Sequence, residues 1–240
     1  MNMFVKDKIF KGLIFAFRIL TNPKIINNYG VKVDVSSYPL KKYKKTFFMN
    51  SWESQEIRFL KDYLDKNDKV LEIGSCTGFL SIYCSKVLGS KNVVAVEANP
   101  SMLTVIESQK TLNNVSFKVV NGIVGNKTEY NFNILEDIFS SSLEKDNSRK
   151  KKMIIQGVSL EKLTQYFKPT FLILDIEGGE YDVLLENDMP SSIRKILVEF
   201  HGIKKHSGLE DEKFNDVINL LKSLEFKYTR NVGRVFMFKR

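Results

Sequence analysis

Cysteine is nearly absent from this 240-residue chain, which carries two. Cys76 and Cys84 stand eight apart, neither a disulfide framework nor a metal-ligand spacing, so a reducing cytosol is the expected compartment. Near the start, in "FVKDKIFKGLIFAFRIL" (4–20), the longest uncharged stretch is Gly12–Phe17. That is too short for a bilayer span or the core of a signal peptide, and no small-residue cleavage site follows it. Internal repeats are also missing. Net positive charge is scarce beyond residue 50: ten Lys and Arg against two Asp fall in residues 1–50, which accounts for eight of the nine net charges. A nucleic-acid enzyme would place basic residues around its cleft as well, so this distribution argues against a nucleic-acid partner. An anionic membrane surface or an acidic partner suits it better.

What is present fits one α/β domain with an added arm: a basic arm over 1–50 and a domain over 51–240, with 43% apolar residues to form a core. Residues 4–20 read as an amphipathic helix. It would pack on its own domain, pair with a second subunit in a homodimer, or lie peripherally on the inner membrane face. Asn22-Pro23 ends it, and 24–50 reads as an irregular basic connector in which "PLKKYKKTFF" interleaves aromatics with lysines. Ser51 is placed to cap a helix through "WESQEIRFLKDYL".

From there short apolar strands and crossover helices alternate. Strands are predicted at 69–73, 92–97, 116–120, 170–175 and 194–200, and helices at 78–88, 100–112, 159–167, 179–186 and 211–224. This is the signature of a parallel sheet covered on both faces. Residues 126–152 break the rhythm and read as a hairpin-like insertion whose tip would cover a ligand. Two closing strands around "NVG" read as an antiparallel hairpin.

In such a sheet ligands sit beyond the carboxyl ends of the strands. Gly74 and Gly78 in "VLEIGSCTGFLS" would let backbone approach a ligand, and the helix start behind them favours an anionic group such as a carboxylate. The spacing lacks the third glycine of the dinucleotide fingerprint. Glu97 in "VVAVEANP" can accept both hydroxyls of a ribose, which NAD and S-adenosylmethionine share. Asn121 and Gly122 can line an adenine slot. The most specific string is "LDIEGGE", where Asp175 and Glu177 emerge at a strand end and, as strand residues, would point to one side.

These motifs in this order resemble the FkbM family of S-adenosylmethionine-dependent methyltransferases over roughly 52–202. The resemblance implies a Rossmann-like seven-strand methyltransferase fold, mostly parallel with a C-terminal antiparallel hairpin. It also implies methyl transfer to oxygen, often a hydroxyl of a sugar or natural product, as in glycan biosynthesis. By the same resemblance Glu72, Gly74, Ser75 and Gly78 hold the methionine part, Glu97 the ribose and Asn121 the adenine side, with Ala98 and Gly122 also among the cofactor-binding residues, and Glu53 lies near the ligand. This chain has Ile173 where many members carry lysine, and Cys76 where many carry a smaller residue.

For chemistry, Asp175, Glu177 and His201 are the catalytic candidates, with His206 a weaker one. A carboxylate or the imidazole would take the acceptor's proton. A hard divalent ion held by Asp175, Glu177 and Glu199 is the variant of this reading, and no metal is assigned. The basic arm suggests an anionic or membrane-attached acceptor. The competing readings are a nicotinamide-dependent enzyme, which the missing glycine disfavours, and a catalytically silent binding module. No "NPPY"-like string follows the fourth strand, which disfavours a nucleic-acid methyltransferase.

Overall fold

The computed structural model describes residues 3–134, 151–201 and 212–240. In chain order the elements are α1 (Met3–Thr21), β1 (Ile25–Asn28), β2 (Val31–Asp34), α2 (Lys44–Phe48), α3 (Ser54–Tyr63), β3 (Val70–Ile73), α4 (Phe79–Leu88), β4 (Val93–Glu97), α5 (Pro100–Asn113), β5 (Lys118–Asn121), β6 (Ile123–Val124) and β7 (Glu129–Ile134). There follow β8 (Lys151–Val158), α6 (Leu160–Phe167), β9 (Phe171–Leu174), α7 (Glu180–Glu186), β10 (Lys195–Glu199), α8 (Glu212–Ser223), β11 (Lys227–Val232) and β12 (Val235–Lys239).

Seven strands form one sheet in the order β11-β12-β10-β9-β3-β4-β5. The five strands from β10 to β5 run parallel, and β12 pairs antiparallel with both β10 and β11. This is the seven-strand sheet with a reversed terminal hairpin. Both faces are covered because side chains alternate along each strand. Val70, Ala95, Ile173 and Leu197 pack toward α3, α4 and α5, while Leu71, Val94, Leu172 and Ile196 pack toward α6, α7 and α8. The chain order reverses between β3 and β9, so the strand tips on either side of that point face a common crevice.

Two local expectations are corrected. Residues 24–50 are not an irregular connector: β1 and β2 form an antiparallel hairpin, and Ile26, Val31, Val33, Leu40, Phe47 and Phe48 enter the same core as α4 and α5. Alternating apolar Val31 and Val33 in "VKVD" carry a strand signal, whereas in "IINN" the buried alternate positions are Ile26 and the polar Asn28, so the pattern is hidden. Helix α3 begins at Ser54, with Glu53 at the N-cap position in the left-handed region (φ 45°) and no side-chain cap, rather than with a cap at Ser51. Residues 126–152 do contain antiparallel strands, β7 paired with β8, and β8 also pairs parallel with β6 to make a separate three-stranded sheet. The tip of that insertion lies outside the described residues. Among the described residues no helix is long and apolar enough to cross a membrane.

Arg18 ties α1 to this body. Its guanidinium is buried and donates to the carbonyls of Phe47 (3.0 Å), Phe48 (3.1 Å) and Asn27 (2.8 Å). Burial pushes its pKa down, yet an arginine remains charged, so these charge-assisted bonds offset its desolvation. Arg18→Ala should leave three carbonyls without that partner and lower the unfolding free energy by about 3 kcal/mol, read from the midpoint shift in urea.

Candidate active site

One cavity of about 610 Å³ opens at the carboxyl ends of β3, β4 and β9 and is walled on its far side by β6 and β7. Its volume lies in the range of small-molecule sites. Of the residues singled out from sequence, Gly74, Glu97, Ala98, Gly122, Asp175 and Glu177 line it, and Glu53, Glu72, Ser75, Gly78, Asn121 and His201 do not. His206 lies outside the described residues. Sequence reasoning missed Asn99 and Met102 beyond β4, and Asn126, Lys127, Glu129 and Tyr130 of the insertion. The carboxyl-end rule was enough to find the first pair. The insertion over 126–152 reads as covering a ligand, but which of its residues line the cavity carries no local signal, because only the pairing of β6 with β8 brings them over the crevice.

The glycines act differently from their expected role. A Cβ on Gly74 (φ +88°) would stand 1.8 Å from the carbonyl oxygen of Asp175, and one on Gly78 (φ +76°) 3.2 Å from Ile106. What approaches Gly74 so closely is the protein's own β9 loop. The turn therefore brings two strand tips together, and Gly74 still borders the cavity.

Glu97 is buried at the tip of β4. Its carboxylate accepts from the backbone N–H of Cys76 and of Asn99, both at 2.7 Å. Asn121 Nδ2 donates to the carbonyls of Glu97 (2.7 Å) and Ala98 (3.1 Å), so its amide braces the strand tip. Two bonds leave the Glu97 carboxylate with lone pairs to spare for a diol. Burial raises its pKa to about 7. Asn99 Nδ2, in a residue that lines the cavity, is buried without a hydrogen-bond partner. A carboxylate with unused acceptor sites and an orphaned amide donor on one wall fit the polar ribose and base of a nucleoside.

Glu72 points to the opposite face of β3, where it accepts from Ser81 Oγ, and burial raises its pKa to about 8. Ser75 Oγ is buried without a partner. Glu53 accepts from Trp52 Nε1 at 2.9 Å, leaves Oε2 unpartnered, and is pushed well up by burial and by the nearby Glu72, Glu56 and Asp175.

At the tips of β9 and β10 one imidazole is ringed by acids. His201 Nδ1 lies 2.8 Å from Glu180 Oε1, and Nε2 lies 3.4, 3.7 and 3.9 Å from Glu177, Glu199 and Asp175. β9 ends at Leu174, and Glu177 has φ 55°, so Asp175 and Glu177 converge through a loop turn and not through the pleat of a strand. Fully buried Glu180 holds that loop by accepting from Ile176 N and Gly178 N. Burial works against a charge on either member of the His201–Glu180 pair. Their hydrogen bond and attraction win, lifting His201 to about 9 and lowering Glu180. Asp175 is pushed well up by burial and by Glu199, against the pull of His201. Asp175, Glu180 and His201 do place possible ligand atoms within 4.8 Å of one another. In the metal-free chain His201 Nδ1 is hydrogen-bonded to Glu180.

The sequence model of the methyltransferase FkbM domain matches residues 68–228. The chain belongs to the FkbM methyltransferase family. A protein provisionally named as a protein N5-glutamine methyltransferase of Methanocaldococcus jannaschii is 44% identical over 61 residues, 25% of this chain and 30% of that one, so the match spans under a third of its length. Ribosomal RNA small subunit methyltransferase G of Mycoplasmopsis pulmonis is 26% identical over 196 residues, 76% of this chain and 82% of its own. A crystal structure of ribosomal protein L11 methylase from Lactobacillus delbrueckii subsp. bulgaricus superposes with a TM-score of 0.42 at 14% identity, covering 76% of this chain and 73% of that one. The matched residues 68–228 of this FkbM domain include the strand tips that border the cavity.

Buried carboxyls with raised pKa set the pH response of stability. Glu56 and Glu97 hold their protons to about 7 and Glu72 to about 8, whereas the unfolded chain releases them near 4.5. His201 likewise keeps to about 9 a proton that the unfolded chain releases near 6.5. The folded state therefore binds more protons across this whole window, and stability falls as pH rises. Lowered Glu180 works in the opposite sense, but only below its ordinary value of 4.5. The Tm of the ligand-free protein should drop by about 5 °C or more between pH 5.5 and 8.5, as followed by calorimetry.

Proposed function

We propose that this FkbM domain transfers the methyl group of S-adenosylmethionine to the hydroxyl oxygen of a compact acceptor, a sugar or similar small molecule. The observation that carries this reading is that Glu97 and Asp175, from different strand tips, open onto one cavity. S-adenosylmethionine supplies an electrophilic methyl group on a sulfonium. Glu97 accepts the ribose hydroxyls, and the wall of β6 and β7 excludes water and orients the acceptor behind the methyl group. Asp175, facing the cavity with a raised pKa, takes the acceptor's proton. His201 is a positioning residue: protonated up to about 9, it is a poor base at neutral pH, and it holds Asp175, Glu177 and Glu199 in place.

Charge narrows the acceptor. The cavity is lined by Glu97, Glu129, Asp175, Glu177, Asp182 and Glu186 against Lys127. The curated relatives are named for glutamine and ribosomal RNA methylation, but a polyanion entering such a wall would meet like charge. An uncharged hydroxyl at the reacting end suits it better, which also argues against an anionic group there.

S-adenosylhomocysteine should bind in calorimetry, and Glu97→Ala should weaken it about a hundredfold through loss of charge-assisted hydrogen bonds. Because the diol favours ionised Glu97, affinity should rise with pH through about 7 in the parent and stay flat in the variant. Incubation of a cell extract with methyl-labelled S-adenosylmethionine should give an alkali-stable methyl ether. Label in RNA or on glutamine would exclude the acceptor class, and no label at all would favour a silent binding module. Asp175→Asn should lower kcat by about 10² to 10⁴ and leave S-adenosylhomocysteine affinity within about threefold.

A further inference from the structure

Helix α1 is amphipathic in an inverted sense. Its inward face carries Ile14, Phe15 and buried Arg18, whereas its outward face carries Leu13, Phe17 and Leu20, which are 64%, 65% and 84% exposed. These three stand at i, i+4 and i+7 and so form one continuous stripe, and Ile25 just past the helix end is also half exposed. The orientation is held by a strong constraint. Rolling the helix to bury the stripe would tear the Arg18 guanidinium from three backbone carbonyls. The fold therefore presents large apolar side chains to solvent and pins them there.

We infer that this stripe is a docking face for an anionic lipid surface, a site separate from the methyl-transfer cavity. The basic character of this arm selects the occupant. Residues 1–50 hold eight of the chain's nine net positive charges, of which Arg18 is buried on the inward face, and Lys44 Nζ sits at the helix end, 2.5 Å from Asn22 Oδ1. A second copy seated on the stripe would bring two such basic arms together, and their repulsion opposes the pairing. A bilayer with anionic headgroups receives both features, apolar side chains at the acyl boundary and lysines among the phosphates.

The full-length protein should co-sediment with phosphatidylcholine vesicles containing 30% phosphatidylglycerol, bind pure phosphatidylcholine vesicles at least tenfold more weakly, and lose binding in 0.5 M NaCl. The triple variant Leu13→Gln, Phe17→Gln, Leu20→Gln should partition about a hundredfold more weakly while keeping the parent's Tm and S-adenosylhomocysteine affinity. Phe17→Ala alone, which keeps helix propensity, should cost about tenfold and provides the test if the triple variant misfolds. The inference falls if the parent ignores anionic vesicles or if the variants bind as the parent does. It falls equally if the parent is a dimer at micromolar concentration that the triple variant converts to monomer, since the stripe would then be a self-association face.

Discussion

The loops after β3 and β9 meet backbone to backbone. Gly74 lies where a single methyl group would collide with the Asp175 carbonyl, and that contact sets the width of the crevice at the centre of the sheet. Everything else at the site is arranged around this approach. Asp175 is delivered to the cavity by the same peptide that touches Gly74, and Cys76, two residues on, reaches across to the carboxylate of Glu97. Three strand tips are thereby tied into one rim with few side-chain bonds, because the parallel sheet has already brought them to one edge.

Such an edge collects negative charge, and the second constraint is how that charge is tolerated. Four carboxylates within 4 Å of one imidazole would repel one another if all were ionised around a neutral ring. Protonated His201 offsets this repulsion, and Glu180 in turn holds the ring and the turn that carries Glu177. Burial likewise raises the pKa of Glu53, Glu56, Glu72 and Glu97. The free protein is thus electrostatically loaded in a way that a polar ligand donating to Glu97 relieves. This is a physical reason for a binding site to be less stable without its ligand than the surrounding core.

The basic arm is part of the same body. Its hairpin supplies Val31, Val33 and Val35 to the core beside α4 and α5, and Asn113 bonds both the N–H and the carbonyl of Lys32. Helix α1 is then held by Arg18 and by Phe15 packed on the core, with its apolar stripe turned away. Exposed apolar side chains stand there, on a helix that lines no part of the cavity.

By itself the sequence determined the repeating strand and helix pattern, the reversed closing hairpin and the family, because apolar runs, capping residues and motif strings are local and survive without knowledge of packing. It also marked Gly74, Glu97, Asp175 and Glu177, since residues following parallel strands must share one edge. Tertiary structure alone decided the rest. Tyr130 and Lys127 enter the cavity only through the pairing of a distant insertion, the glycine turn admits a neighbouring loop that no local spacing reveals, and the pKa of His201 rises because four acids from three segments surround it. Such effects arise from distances between residues far apart in the chain, and only the folded packing sets those distances.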